Sequence, residues 1–243
     1  MSLDRFYVDN PLIDHVTIEG GEHHHIAHVM RMHSGDILEL VNGKGVIANA
    51  KILHLTKKEV FCKILTRYEE SSPIHRLILA QALPKTPRLD YILEKGTELG
   101  VTDIWLFPGE KSDHKSFSSL KERSHHILIC ALKQCKRAFL PELVWKPSLL
   151  SWEPSLLPKC AYFGDLRSHA PWFLDALSST VSTILIAIGP ESGFTQKEVS
   201  HMEQALHMQG VLLHHNVLRT DTATITALSL ASHYHLCHNS QCK

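Results

Sequence analysis

The sequence lacks an apolar run of the roughly 20 residues that are needed to cross a lipid bilayer. Its first ten residues, MSLDRFYVDN, also lack the charged and then apolar order of a secretory signal peptide. Together these absences argue against a membrane-spanning or secreted protein. They predict a cytoplasmic one.

Close cysteine pairs are absent as well. The six cysteines are dispersed and form no C-x-x-C motif, in a chain of 243 residues that is long enough to build its own core. We therefore expect reduced thiols rather than a disulfide framework. The residues concerned are Cys62, Cys130, Cys135, Cys160, Cys237 and Cys242.

A closed set of four metal ligands at the spacing of a zinc site is missing, although the chain has 19 histidines. His24, His25 and His28 fall on a short predicted helix. A second group crowds the C-terminal tail and consists of His233, His235, Cys237, His238 and Cys242. We expect no metal at either group, and we interpret the tail as a frayed terminus.

The sequence has no excess charge of either sign, because 25 Lys and Arg residues balance 25 Asp and Glu residues. Global charge therefore gives no evidence for a polyanionic partner. A nucleic-acid surface would have to be a local basic patch.

Two fingerprints of nucleotide-binding proteins are also missing. The chain has no G-x-x-x-x-G-K-[ST] phosphate loop and no G-x-G-x-x-G motif, since Gly43-Lys44-Gly45 runs on into a predicted hairpin. The glycine-rich turn Gly189–Gly193 lies late in the chain, whereas a Rossmann turn usually opens its domain. These observations argue against a Rossmann or P-loop protein.

What the chain does contain is the run ILIAIGPESGFTQKEV, residues 184–199. Five apolar residues are followed by a glycine-rich turn, and a helix-like spacing of Val199, Met202 and Leu206 comes after it. A buried strand that leads through such a turn into a helix presents backbone amides to a ligand. By spacing alone, the turn is either a ligand site of unknown type or a plain connection.

The first seventy residues predict a small β-rich domain. Strands are expected at 6–8, 37–41, 46–55 and 60–65, with a short helix at 22–32. Asn42-Gly43 lies between two apolar runs and indicates a hairpin whose central residues adopt positive φ. The polar stretch Glu69–Pro73 is taken as the boundary, which gives predicted domains 1–70 and 74–243.

Beyond that boundary, strands and helices alternate. Strands are expected at 77–80, 104–107, 161–163, 184–188 and 211–213, with helices from Thr86 as the cap to Gly100, over 118–138, and from Asp221 to about His235. Alternation of this kind predicts an α/β domain with a mostly parallel sheet.

Two loops together carry a resemblance to a known family. Ile188-Gly189-Pro190-Glu191-Ser192-Gly193-Phe194, combined with Leu218-Arg219-Thr220-Asp221-Thr222-Ala223, resembles the paired signatures of the SPOUT methyltransferases. More closely, the chain resembles the bacterial ribosomal RNA small subunit methyltransferase E family, whose members make N3-methyluridine in 16S rRNA. The resemblance extends over the chain through 24–31, 42–45, 95–101, Gln134 and Arg137. The sequence departs from the family's usual pattern at Ser192, at 213–216 and at Asp221.

Membership of this family implies a PUA-like β-barrel domain that binds RNA, and a SPOUT domain with a C-terminal trefoil knot. It also implies S-adenosylmethionine as cofactor, a homodimer, and 16S rRNA of the small ribosomal subunit as partner. By this resemblance, the expected cofactor-binding residues are Ile188, Gly189, Pro190, Glu191, Gly193, Leu213, Leu218 and Thr220.

Methylation of N3 of uridine requires the imide to lose its proton, so the reaction calls for a base or for a cation that stabilises the resulting anion. Arg219 is our candidate for the cation, and Glu191 for the proton acceptor. The alternatives are that Arg219 forms an ion pair with Asp221 or Glu191, and that Glu191 binds backbone amides. RNA contacts are expected from Arg5, Arg31, Lys85, Arg88 and Arg137, each of which is alternatively an ordinary solvated charge.

Other functions stay open at this point. The departures at Ser192 and His214 leave room for a non-catalytic RNA-binding module on the same fold. Ribose 2′-O-methylation is a further possibility, and a nucleotide-dependent metabolic enzyme is a weaker one.

Overall fold

A computed structural model describes residues 3–111, 118–177 and 182–239 of the chain. The protein forms two compact units. The first comprises Met1–Ser72 and Ile129–Leu140, and the second comprises Pro73–Leu128 and Pro141–Lys243. The first unit thus takes in the segment 129–140, which the sequence-based division at residues 70–74 does not assign to it.

The first unit is built on a curled five-stranded sheet in the order β1-β3-β4-β5-β2. Its elements are β1 Arg5–Tyr7, β2 His15–Glu19, α1 Gly20–His24, β3 Ile37–Val41, β4 Val46–Leu55 and β5 Glu59–Glu69. Strand β1 pairs in parallel with β3, and the other pairings are antiparallel. Two register shifts between β4 and β5 bend the sheet around its core, because an extra residue in one strand increases the local twist.

The hairpin between β3 and β4 confirms the turn that Asn42-Gly43 predicts, with both strands at the expected bounds. The expected role of Asn42 is wrong in one respect. The positive φ angles belong to Gly43 (69°) and Gly45 (95°) instead. Asn42 contributes its side chain, whose Oδ1 accepts hydrogen bonds from the backbone N–H of Lys44 (2.8 Å) and Val46 (3.0 Å).

The predicted helix at 22–32 is shorter and begins earlier. After α1, the backbone continues as a π-helical turn over His25–Val29. Arg31 follows with a φ of +53°, in the left-handed region, and so ends the helical path before Met32.

The second unit contains a six-stranded sheet in the order β11-β9-β10-β6-β7-β8. Its strands are β6 Arg76–Ala82, β7 Asp103–Phe107, β8 Glu142–Trp145, β9 Cys160–Gly164, β10 Thr183–Ile188 and β11 Gln209–Val211. All five pairings are parallel, which confirms the predicted α/β class. The helices are α2 Thr86–Glu98, α3 Ser118–Cys135, α4 Phe173–Ala176, α5 Gln196–Gln204 and α6 Thr220–Asn239, and α3 belongs to the first unit from Ile129 onward.

Several predicted bounds need correction. Lys85, and not Thr86, is the N-cap of α2, and no side chain caps this end. Helix α3 stops at Cys135 because Lys136 has a φ of +63°. The last strand ends at Val211, whereas the sequence predicts 211–213. Helix α6 runs to Asn239, so the tail is helical up to that residue rather than frayed, and Cys242 lies outside the described residues.

The strand order creates a crevice between β6 and β10. From β6 the sheet continues through β7 to β8, whereas β10, β9 and β11 lie on the other side of β6. Open α/β sheets bind ligands at the carboxyl ends of strands where the strand order reverses in this way. None of the described helices combines the length and the apolar character that are needed to cross a bilayer.

Candidate active site

The segment after β10 forms a tight turn at the carboxyl edge of the sheet. Gly193 donates its backbone N–H to the carbonyl of Pro190 (2.9 Å) and adopts a φ of +69°. A side chain on Gly189 would approach the backbone nitrogen of Phe194 to 3.2 Å, so this position has little room for one. Helix α5 then begins with a capping box in which Thr195 and Glu198 each accept from the other's backbone N–H.

A cavity of about 510 Å³ opens beside this turn. Its walls come from four places: the segment after β9, the segment after β10, the first turn of α5, and the segment that leads into α6. All eight residues that the sequence predicts as cofactor-binding line it, namely Ile188, Gly189, Pro190, Glu191, Gly193, Leu213, Leu218 and Thr220.

A hydrogen bond joins two of these segments directly. The hydroxyl of Thr220 donates to the carbonyl of Gly189 over 2.6 Å. The start of α6 therefore lies against the turn after β10, as the paired loop signatures predict. The sequence places these two residues 31 positions apart.

A guanidinium group joins the same segments a second time. Arg88 on α2 lies 3.2 Å through Nε from Glu191 Oε1, and 3.1 Å through a terminal nitrogen from Asp221 Oδ1. Glu191 Oε1 also accepts from the backbone N–H of Lys85 (3.1 Å). The ion pair that the sequence left open for Arg219 is thus made by Arg88.

The side chain of Arg219 is exposed at the residue that directly precedes α6. Its backbone is held in place, because the Arg219 carbonyl accepts from the N–H of Ala223 (2.7 Å). Within residues 3–111, 118–177 and 182–239, its guanidinium forms no ion pair with a carboxylate. This leaves its charge available beside two residues of the cavity wall, Leu218 and Thr220.

The segment after β9 contributes an acidic residue that the sequence reading missed. Asp165 lines the cavity, and its side chain is only 7% exposed. Burial disfavours its charged form, but hydrogen bonds from the side chain and backbone of Arg167 outweigh burial and hold the pKa of Asp165 below its ordinary value. Arg167 also pairs with Glu203 on α5, so this network fixes one wall of the cavity.

Comparison with known proteins identifies the chain. Residues 70–232 match the family described as RNA methyltransferase domain, and residues 18–65 match the RNA methyltransferase PUA domain. The ribosomal RNA small subunit methyltransferase E of Bacillus subtilis is 32% identical over 232 residues, which cover 89% of each chain. The chain belongs to the ribosomal RNA small subunit methyltransferase E family. The Buchnera aphidicola member from Acyrthosiphon pisum is 29% identical, over 85% of this chain and 83% of its own.

Solved structures support the same assignment. A methyltransferase E from Neisseria gonorrhoeae, bound to S-adenosylmethionine, is 25% identical with a TM-score of 0.84, over 94% of this chain and 96% of that one. A Legionella pneumophila protein in complex with the same cofactor is 26% identical with a TM-score of 0.87, over 95% and 97%. The described fold is therefore that of the methyltransferase E family, including its PUA-like N-terminal part.

The departures from the usual methyltransferase E pattern do not close the cavity. Ser192 and His214 both line it, and both residues are exposed. The Nδ1 atom of His214 accepts from the backbone N–H of Asn216 (3.0 Å), so the ring folds back onto its own loop. Asp221 keeps a carboxylate at the start of α6, where it pairs with Arg88.

Four of the five residues expected to contact RNA fall into two groups, and Arg137 is the fifth. Lys85 and Arg31 have exposed side chains. Arg5 is only 5% exposed, pairs with Glu39 (2.6 Å) and donates to the carbonyl of Arg137. Arg88 is held in the ion pairs already described. Burial lowers the pKa of Arg137 below the ordinary arginine value. The charges of Arg5 and Arg88 are thus used inside the protein, whereas those of Lys85 and Arg31 face solvent.

The second missed residue is Gln81, a polar side chain that is fully buried near the carboxyl end of β6. The sequence contains a signal for this residue, because Gln81 interrupts the apolar run Leu77–Ala82.

No grouping of three or more His, Cys, Asp or Glu side chains suited to a metal ion occurs among the residues that the structure describes.

Proposed function

We propose that the protein transfers a methyl group from S-adenosylmethionine to N3 of a uridine in 16S rRNA. One observation carries this proposal: two segments that are far apart in sequence border a single cavity at the switch point of a parallel sheet. They do so in a chain of the methyltransferase E family, two of whose structural relatives bind S-adenosylmethionine.

The cavity fits this cofactor in size and chemistry. Its volume of about 510 Å³ lies in the ordinary range of small-molecule sites. Phe163, Ile188 and Leu213 offer apolar surface for an adenine ring, and the glycines at 189 and 193 allow close approach to the backbone. The carboxylates of Asp165 and Glu191 border the cavity, and their charge complements the positive sulfonium and ammonium groups. When bound, the cofactor supplies a methyl group on a positively charged sulfur.

The protein's own residues must deal with the proton and the charge at uridine N3. We assign Arg219 to stabilise the negative charge that spreads to the uridine carbonyl oxygens as N3 loses its proton, since its guanidinium is permanently charged and lies next to two residues of the cavity wall, Leu218 and Thr220. We assign Glu191 as proton acceptor. Its Oε1 is used by Lys85 and Arg88, so Oε2 is the oxygen that we assign to the proton.

The substrate must present an unpaired uridine, because N3 lies on the edge that pairs with adenine. We propose that the first unit, with Arg31, contacts the RNA backbone, and that Lys85 does so beside the cavity. Phosphate contacts of this kind position the RNA without reading its sequence. A small number of such contacts is compatible with the neutral total charge of the chain.

We further propose a homodimer formed through the second unit. Ile74 is 84% exposed and Leu236 is 65% exposed, and each is the chain neighbour of one member of the His75–His235 pair, whose ring centroids are 4.4 Å apart. Exposed apolar side chains on two segments that contact each other favour a protein contact. Sedimentation equilibrium is expected to give twice the chain mass, and Leu236→Asp to reduce it.

The family resemblance also supports a trefoil knot, in which the C-terminal segment threads through a loop of the chain. The position of β10 between β9 and β6 is compatible with that path. A cytoplasmic location follows as a proposal from the proposed rRNA substrate.

Nucleoside mass spectrometry of 16S rRNA tests the proposed reaction. A strain without the gene is expected to lose N3-methyluridine, and the wild-type gene, but not its Arg219→Ala variant, is expected to restore it. Unchanged N3-methyluridine in the deletion strain would contradict the proposal. If the deletion strain instead lost a methyl group from a ribose, this result would indicate 2′-O-methylation. Calorimetry that detects no S-adenosylmethionine binding, with or without RNA, would indicate a non-catalytic RNA-binding protein.

A further inference from the structure

Gln81 lies at the carboxyl end of β6, directly opposite Ile188 in the parallel pairing with β10. Its polar side chain is fully buried, as are its apolar strand neighbours Ala80 and Ala82. A buried primary amide is unfavourable unless its donors and acceptor are hydrogen-bonded. The contacts that satisfy Gln81 therefore show what it does.

Those contacts reach both segments that border the cavity. The amide nitrogen of Gln81 donates to the carbonyl of Ala82 (2.8 Å) and to the hydroxyl of Thr220 (3.2 Å). It also lies 3.4 Å from the carbonyl of Ile188 and 3.5 Å from that of Gly189. The amide oxygen accepts from the hydroxyl of Thr224 (2.6 Å).

The direction of this hydrogen-bond chain is fixed by its end. The carbonyl of Gly189 can only accept, so the hydroxyl of Thr220 donates its single proton to it. The Thr220 oxygen must then accept from Gln81, which orients the amide with its nitrogen toward Thr220 and its oxygen toward Thr224. Thr224 and Thr220 are both buried, so water does not compete with this arrangement.

We infer that Gln81 is a positioning residue for the proposed methyl transfer, setting the turn after β10 and the start of α6 relative to each other. This inference rests on the proposed function. Through Gly189, Gln81 acts on the cofactor-binding turn. Through Thr220, it acts on Arg219, the preceding residue, whose carbonyl is already held by the first turn of α6.

Substitutions along the chain separate positioning from general stability. Gln81→Glu keeps the size of the side chain but replaces the two amide protons with at most one carboxyl proton, so Thr220 and the three carbonyls lose donors whichever form the glutamate takes. Thr224→Val removes one donor, and Thr224→Ser retains it. Thr97→Val is the matched control, since Thr97 is also fully buried in the second unit and donates to Leu93, but does not line the cavity.

Calorimetry with S-adenosylmethionine, thermal unfolding and steady-state kinetics are then measured on the full-length chain. Gln81→Glu is expected to raise the Kd for S-adenosylmethionine about tenfold or more and to lower kcat as well, because a donor to several buried acceptors is lost. Thr224→Val is expected to raise the Kd about threefold, and Thr224→Ser to restore it to within about twofold of wild type. Thr97→Val is expected to lower the melting temperature and leave the Kd unchanged.

A folded Gln81→Glu protein with the Kd and kcat of the wild type would overturn the inference. If Gln81→Glu does not fold, Thr224→Val decides, and an unchanged Kd overturns the inference equally. If Thr97→Val raised the Kd as much as Thr224→Val does, general destabilisation would explain the effect, and the inference would be overturned. Failure of the wild type to bind S-adenosylmethionine would overturn the proposed function itself, so the two failures are distinguishable.

Discussion

Arg88 Nε lies 3.2 Å from Glu191 Oε1, while the same guanidinium reaches Asp221 Oδ1 over 3.1 Å. One side chain on α2 thus connects the turn after β10 with the first turn of α6. The three side chains are between 24% and 30% exposed, so solvent screens the pairs in part. These ion pairs therefore contribute little free energy, but they hold the turn after β10 and the first turn of α6 in a specific geometry.

Arg88→Ala is expected to raise the Kd for S-adenosylmethionine about threefold to tenfold, corresponding to about 1 kcal/mol. The salt dependence of RNA binding is expected to stay as in wild type, because this charge is used within the protein. Lys85→Ala is the contrasting variant: only its backbone N–H bonds Glu191, so cofactor affinity is retained. Its RNA-binding salt slope is expected to fall by about 0.7 for one lost phosphate contact. The reverse pattern would make Arg88 an RNA contact.

Arg219→Ala is expected to lower kcat about 10²- to 10³-fold, the usual effect of removing a group that stabilises developing negative charge. The Kd for S-adenosylmethionine is expected to change little, since the assigned partner of Arg219 is the uridine. Single-turnover kinetics with saturating cofactor measures the effect. Lys197→Ala serves as control because this exposed residue lies on α5 and does not line the cavity. A kcat within threefold of wild type for Arg219→Ala, about 0.6 kcal/mol, would remove Arg219 from the chemistry.

Gly193→Ala is expected to cost about 1 kcal/mol of unfolding free energy, because an L-residue is strained at a φ of +69°. Steric overlap is not the cause, since a Cβ atom there meets nothing within 4 Å. Gly193→Asn is expected to cost less, as asparagine tolerates this region better. Gly21→Ala is the control: its Cβ also meets nothing, its φ is not positive, and alanine favours the helix. Urea unfolding measures all three, and equal losses for Ala and Asn would contradict this explanation.

Stability is expected to fall as the pH drops from about 6.5 toward 4. Burial, followed by the neighbouring His75 and His238, lowers the pKa of His235 from 6.5 to about 4. The Tyr234 ring also faces it, at 6.5 Å between centroids. In this pH range the unfolded chain binds a proton at His235 that the folded protein does not, so protonation favours unfolding. The loss is complete below pH 4 and absent above pH 6.5.

The expected size of this effect is at most about 3 kcal/mol, from a pKa of 6.5 in the unfolded chain against one of about 4 in the folded protein. Unfolding free energies at pH 5 and pH 7.5 measure it. His235→Leu is expected to flatten the pH dependence, whereas His125→Leu, at an exposed position on α3, is expected to leave it. An unchanged slope in His235→Leu would contradict the assignment.

The sequence predicted local features well where the chemistry is local. The β3–β4 hairpin and the strand Ile184–Ile188 lie where apolar runs meet glycine, because turn geometry depends on a few adjacent residues. Two edge strands, β2 and β8, escaped prediction. β8 is an edge strand in which none of the four residues is buried, so its apolar pattern is weak, whereas β2 shows the alternation of a strand over only five residues.

The sequence did not predict which residues pair across long separations in the chain. Arg5 and Arg88 look like solvated charges in the sequence, yet their carboxylate partners lie 34 residues away for Arg5, and 133 residues away at Asp221 for Arg88. The eight predicted cofactor-binding residues were identified from the family resemblance. A family motif indicates which residues share a site, but it does not give the contacts that hold them together. Gln81 and Asp165 belong to neither signature loop: the pairing of β6 with β10 places Gln81 opposite Ile188, and Asp165 lines the cavity from the segment after β9.

The hydrogen bond between Gln81 and Thr220 spans 139 positions of the chain. A polypeptide emerging at about 5–20 residues per second therefore completes one side of the crevice many seconds before the other. Until residues 183–188 have emerged, β6 exposes the edge that β10 later covers, so a nascent chain is vulnerable to wrong strand pairing. Translation that stops anywhere before position 220 is expected to yield a protein with no activity, rather than one with a fraction of it.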